Sequence, residues 1–123
     1  MNEKRTKTGI KEFMITFSSI SKRGNREINE DSFACASISE KYLLVVADGL
    51  GGHGYGEIAS RLAAETMEKV FLNEEDMPLD ILLDVAINQA QRVILNEQEK
   101  KHAQLGMKTT IVALCCNKKD ICW

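Results

Sequence analysis

VVADGLGGHGYGE, residues 45–57, runs an unbroken apolar segment into Asp48 and then into a glycine-rich loop. Gly49 to Gly54 spell G-x-G-x-x-G ahead of a helical pattern, the outline of a dinucleotide-binding turn. That reading needs a second parallel strand ending in an acidic residue after the helix. The helix is instead followed by Asn73-Glu74-Glu75-Asp76 and a second helix, so no ribose-binding carboxylate has a place to sit. Asp48 would also meet an incoming pyrophosphate with a like charge. The aspartate makes sense if its partner is a cation. Hard divalent ions such as Mg²⁺ and Mn²⁺ take oxygen ligands, and a strand end holds a carboxylate on a rigid support. Gly49 has no side chain to keep its carbonyl from turning inward as a further ligand.

On either side of this stretch the periodicity changes several times. Residues 1–10 read as a polar N-terminal extension and 11–123 as one folded unit. Lys11 to Ile20 alternates, with Phe13, Ile15 and Phe17 on one side, and predicts a strand. Ser32 to Ser39 alternates again and predicts a second. Tyr42 to Ala47 is apolar throughout, the pattern of a strand covered on both faces. Ile58, Leu62, Ala63, Met67, Val70 and Phe71 lie on one stripe of a helix over 57–72. Pro78 suits the first turn of a second helix, whose stripe is Leu79, Leu82, Leu83, Ala86, Ile87, Ala90 and Ile94. Charged Glu97 to His102 reads as its solvated tail. Thr109 to Cys116 predicts a strand, Asn117 to Asp120 a hairpin turn, and Ile121-Cys122-Trp123 the start of a returning strand. The fold class is α+β in the order β-β-β-α-α-β, broken off in a following strand, which reads as part of a larger domain.

Composition narrows the class. The chain has 123 residues, a formal net charge of -2 and 44% apolar residues, the profile of an ordinary globular domain. That charge offers no footprint for nucleic acid, and no apolar run reaches the roughly 20 residues a membrane helix needs. The N-terminus lacks the apolar segment of a secretory signal. Four cysteines, at 35, 115, 116 and 122, form no C-x-x-C pair and read as reduced, small apolar residues. These features point to the cytoplasm.

A second acidic group stands before the strand that precedes Asp48. Gly24 to Phe33, GNREINEDSF, carries Arg26, Glu30 and Asp31. An acidic pair opening one strand and an aspartate closing the next meet at one end of a hairpin. The guanidinium of Arg26 can grip a phosphate through two parallel hydrogen bonds. Carboxylates that hold metal, with an arginine that holds phosphate, are the parts of a metal-assisted phosphoester hydrolase.

These residues resemble the metal-dependent protein phosphatases of the PPM, or protein phosphatase 2C, type, in their bacterial branch. That branch shows an Arg-x-x-Asn-Glu-Asp segment, an Asp-Gly-x-Gly-Gly-His loop and a Gly-Met-Gly-Thr-Thr strand entry. The counterparts here are Arg26 to Asp31, Asp48 to His53, and Gly106-Met107-Lys108-Thr109-Thr110, in the same order with two helices between the second and third. The resemblance implies part of an α-β-β-α sandwich that hydrolyses phosphoserine and phosphothreonine in proteins, including the targets of a Ser/Thr kinase, with two Mn²⁺ or Mg²⁺ ions. It also implies that Asp48 bridges the metals, Gly49 ligates through its carbonyl, Asp31 with Glu30 holds one metal, and Arg26 binds the substrate phosphate. No nucleic-acid or membrane partner is implied.

Leu50 occupies the position where some members carry a histidine proposed as general acid, which leaves that role unassigned, and His53 reads as a loop-packing residue. Lys108 stands where a glycine is usual and is expected to crowd the loop if the backbone there needs positive φ. The family domain is about twice as long, and its later half supplies a Gly-Asp-Ser-Arg segment and further aspartates. The chain is therefore expected to be its N-terminal half, truncated and inactive alone. A catalytically dead remnant that binds phosphoproteins or a partner is the alternative.

Overall fold

A computed structural model describes residues 14–123. One antiparallel sheet carries the strands β1 (Asp31–Ile38), β2 (Lys41–Leu50), β3 (Lys108–Cys116) and β4 (Ile121–Cys122), side by side in that order. Between β2 and β3 the chain makes a single 3₁₀ turn at Gly52–Gly54, then the helices α1 (Tyr55–Asn73) and α2 (Leu79–Lys101). The described order is thus β-β-α-α-β-β. The α+β class holds, with one strand fewer ahead of the helices than the alternation suggested.

The missing strand is the one expected over 11–20. Its first three positions, including Phe13, lie outside the described residues, and residues 14–20 take no regular structure. On the side expected to face inward Ile15 is half-buried but Phe17 is exposed, so the alternation has no continuous covered surface to match. A period of two marks a strand only where one side is buried against something.

One sheet face builds the core. Ala34 and Ala36 of β1, Leu43, Val45 and Ala47 of β2, and Cys115 of β3 point at the helices. α1 lies across β1 and β2 and reaches β3, while α2 stacks on α1 and touches β3. Small residues on α1, Ala59, Ala63 and Ala64, let the helix approach the sheet closely, and Met67 and Phe71 fill the space beyond them. Side chains of this size are worth roughly 1.5–3 kcal/mol each when buried. The predicted α2 stripe is buried except at Ile87, which is exposed.

The opposite face is where β2 departs from expectation. Val46 is 57% exposed and Val112, its cross-strand partner, 73%. Phe33 and Leu50 on the same face are exposed as well. On this face β2 is uncovered from Val46 to Leu50. At the other end Tyr42 and its partner Cys116 are buried and Leu44 is half-buried, so the expected two-sided cover reaches only part of the strand.

Local chemistry sets the joints. Ser39 and Glu40 close the β1–β2 hairpin with both residues at positive φ, 49° and 60°. Pro78 stands one residue before α2 with extended backbone, and its carbonyl accepts from the Leu82 N–H at 2.8 Å. It acts as the cap residue rather than the first helical one. The helix runs on through most of the charged segment to Lys101 and ends at His102 in the left-handed region, where the His102 N–H bonds back to Glu99. In the β3–β4 turn the Asn117 carboxamide oxygen accepts from the backbone N–H of Lys119 and Asp120, both at 2.8 Å.

Candidate active site

Asp31 opens β1 and Asp48 lies near the end of β2, and the register sets them directly opposite. The Gly49 N–H donates to the Glu30 carbonyl at 3.0 Å, which makes Glu30–Gly49 a hydrogen-bonded pair. The adjoining Asp31–Asp48 pair is then of the non-hydrogen-bonded kind, the closer-set of the two, with Cβ atoms about 4.5–5.5 Å apart. Two carboxylates in that position repel, and the pair costs the fold a few tenths of a kcal/mol or more. Among the described residues the ion pairs are Lys100–Glu97, Lys101–Glu97 and Lys118–Glu40, and none reaches this end of the sheet. Both aspartates are exposed on the open face.

Around this pair the neighbouring groups are fixed by short local bonds. Thr110 is the β3 partner of Asp48 and its hydroxyl donates to the Asp48 carbonyl at 3.4 Å. The Asn29 carboxamide oxygen accepts from the Asp31 N–H at 3.1 Å, and its amide donates to the Ser21 hydroxyl at 2.7 Å. Asn29 thereby shapes the approach to β1, a role the sequence reading left out. Its signal is an Asn two residues ahead of a strand, a position suited to a side-chain turn.

Two close backbone approaches lock the loop. A Cβ on Gly49 would lie 2.1 Å from the Gly56 carbonyl oxygen, and one on Gly51 would lie 1.5 Å from the Gly106 carbonyl oxygen. The first contact joins the end of β2 to the first turn of α1. The second joins the Asp48–His53 loop to the Gly106–Thr110 segment, so two of the sequence motifs touch. Lys108 does not crowd the loop: it opens β3, is exposed, and has negative φ. His53 is exposed and stands in the left-handed region at φ 60°, so it is a turn residue rather than a packing one.

The remaining predicted residues fall in different surroundings. Glu30 is half-buried, and its carboxylate lies against Gly56 in the first turn of α1, where the helix dipole favours negative charge. Arg26 is exposed in the loop before β1, and among the described residues its guanidinium makes no hydrogen bond or ion pair. Asp31, Asp48 and the Gly49 backbone are thus gathered at one strand end, with Glu30 beside them and turned toward the helix. Among the described residues no three His, Cys, Asp or Glu side chains converge as a metal cluster. Two carboxylates and a carbonyl have the hard-oxygen chemistry of a divalent-ion site and supply part of the six or more ligands such an ion takes.

Comparison with known proteins identifies a family for the chain. A family model described as protein phosphatase 2C matches residues 20–122. The serine/threonine protein phosphatase PstP of Mycobacterium tuberculosis, from strains CDC 1551 / Oshkosh and H37Rv, is 32% identical over 102 residues. That match covers 82% of this chain and 19% of PstP, so the chain spans about a fifth of the length of these relatives. A crystal structure of the M. tuberculosis serine/threonine phosphatase PstP/Ppp superimposes with a TM-score of 0.67 at 31% identity, over 78% of this chain and 39% of that one.

Proposed function

The chain belongs to the protein phosphatase 2C family, and from that premise we propose that it carries the Asp31–Asp48 part of a metal-dependent serine/threonine protein phosphatase site. The observation that supports this most is the cross-strand register that sets two aspartates directly opposite each other. Asp48, Asp31 and the Gly49 carbonyl are the proposed ligands of Mn²⁺ or Mg²⁺, two ions in the complete domain, with Glu30 contributing from beside α1. An ion held by these ligands would neutralise the paired carboxylates and would make water a better nucleophile toward phosphorus. Arg26 is the proposed grip on the phosphate; among the described residues its guanidinium has no partner, which leaves its planar donors available. The substrates would be proteins phosphorylated on Ser or Thr, including those of a Ser/Thr kinase. Among the described residues no helix is long and apolar enough to cross a membrane; a cytoplasmic location is part of the proposal.

Calorimetry with Mn²⁺ tests the reading. The chain should bind the ion weakly, and Asp48→Asn should abolish the binding heat. The 123-residue chain should not turn over a phosphothreonine peptide by itself. Binding unaffected by Asp48→Asn would remove Asp48 from the site, and turnover that Asp48→Asn abolishes would overturn the inactivity. The exposure of Arg26, unpaired among the described residues, also supports a second reading, a phosphoprotein-binding remnant without hydrolysis. It requires phosphopeptide affinity that survives chelation and Asp48→Asn but is lost in Arg26→Ala.

A further inference from the structure

The opposite end of the sheet holds a feature that phosphate chemistry does not use. Cys115 of β3 and Cys122 of β4 are register partners. The Asn117 N–H donates to the Asp120 carbonyl at 3.0 Å, so that pair is hydrogen-bonded, and two steps along the ladder Cys115–Cys122 is of the same kind. Hydrogen-bonded antiparallel partners have Cα atoms about 5.5 Å apart, inside the range of about 4.4–6.8 Å that a disulfide spans. Their Cβ atoms, however, lie about 5.5 Å apart, so the two-residue β4 must draw in by roughly 1 Å to bring them within the about 3.5–4.5 Å a bridge needs. Cross-strand partners share a face, so both thiols lie on the helix side of the sheet. Cys116 follows Cys115 directly but points to the other face, opposite Ile121. Alternation therefore selects one thiol of the adjacent pair.

Access is unequal. Cys115 is buried, whereas Cys122 is half-buried and lines an open cavity of about 880 Å³ bounded by the Ser39–Glu40 turn, the α1–α2 connection and the β3–β4 turn. The Cys115 thiol is pushed up to about 11 by burial first and then by the Cys122 and Cys116 thiols beside it, so it stays protonated at neutral pH. The outer thiol is thus the one a small oxidant meets, with the inner one behind it.

We propose that Cys115 and Cys122 are a redox modification site, a reversible cross-strand disulfide formed on exposure to hydrogen peroxide. The Cys122 sulfur attacks one peroxide oxygen, the O–O bond breaks, and water leaves with the thiol proton, giving a sulfenic acid. The Cys115 sulfur then displaces the sulfenic oxygen, which departs as a second water with the remaining proton. Two thiols lose two hydrogens in all, and one peroxide is reduced to two waters. The bond ties β4 to β3, and a dithiol such as dithiothreitol reverses it.

Trypsin cuts after Lys118 and Lys119, between the two cysteines, so the cross-link joins two peptides and is read directly by mass spectrometry. After peroxide treatment the full chain should lose about 2 Da and yield a linked pair containing Cys122. The pair should persist in Cys116→Ser and vanish in Cys115→Ser and in Cys122→Ser. Fragmentation of the wild-type linked peptides assigns the bonded sulfur without any substitution, and peroxide treatment in urea should scramble the pairing. A link through Cys116, selectivity that survives in urea, or oxidation of Cys122 to sulfinic acid with no link would each overturn the proposal.

Discussion

The two faces of this sheet are both apolar, yet only one of them is packed along its whole length; the other is buried at Tyr42 and Cys116 and open toward Val46. On the helix side Leu43, Val45 and Ala47 are shut in by α1, with Met67 and Phe71 completing the layer. On the other side Phe33, Val46 and Val112 stand exposed, with the Asp31–Asp48 pair at their margin. The difference shows that hydrophobicity of a strand residue and its contribution to stability are separate quantities. An apolar side chain stabilises only through the water-exposed area it loses.

Substitution on each face tests that separation, and the largest effect belongs to the packed side. Phe71→Ala should lower unfolding stability by about 3–5 kcal/mol in urea titration, since both burial and a cavity are at stake. Val112→Thr on the open face should change it by less than about 0.5 kcal/mol. Comparable losses from the two would mean that the open face is covered in solution. Next in size is the joint between strand and helix. Gly49→Ala would drive a methyl group into the Gly56 carbonyl, and overpacking of that kind costs about 1–3 kcal/mol; the thermal midpoint reads it.

A pH titration sharpens the same contrast through the packed face. The Cys115 thiol is raised from an ordinary 9.0 to about 11, mainly by burial. Folding therefore favours its protonated form: its contribution is fully present below pH 9 and is lost as pH rises through about 11. Cys115→Ala should flatten that alkaline decline in denaturant midpoints. The smallest effect is expected at the margin of the open face. Without divalent ions, Asp48→Asn should stabilise the fold by about 0.2–1 kcal/mol by removing a like-charge cross-strand pair, less at high salt. A destabilisation instead would mean that the two carboxylates do not repel.

Much of this was legible in the residues. The alternation of Ser32 to Ser39, the two helical stripes and the turn at Asn117 each signal an element through local chemistry alone, and the structure has them. Asp31 and Asp48 could be placed at one hairpin end because a short Ser-Glu turn leaves little choice of register. What could not be read depends on contacts distant in sequence. Nothing in Phe13, Ile15 and Phe17 says whether a neighbouring strand exists to pair with theirs, and the described part, 14–20, is irregular. Val46 and Val45 look alike in sequence, and only the position of α1 tells them apart. The Glu30 carboxylate lies in the space that a side chain on Gly56, 26 residues further along, would fill. The cysteine pairing likewise emerges only once β4 has a register.

The Ser39–Glu40 turn has a kinetic consequence. Both residues occupy the left-handed region without the Gly or Asn that makes it inexpensive. The hairpin they close is the most local strand pairing between long strands, which would ordinarily make it an early folding event. A disfavoured turn removes that head start, so β1 should dock late, onto a β2 already held by α1. Replacing Ser39-Glu40 with Asn-Gly should then raise stability chiefly by slowing unfolding, and leave the refolding rate nearly unchanged.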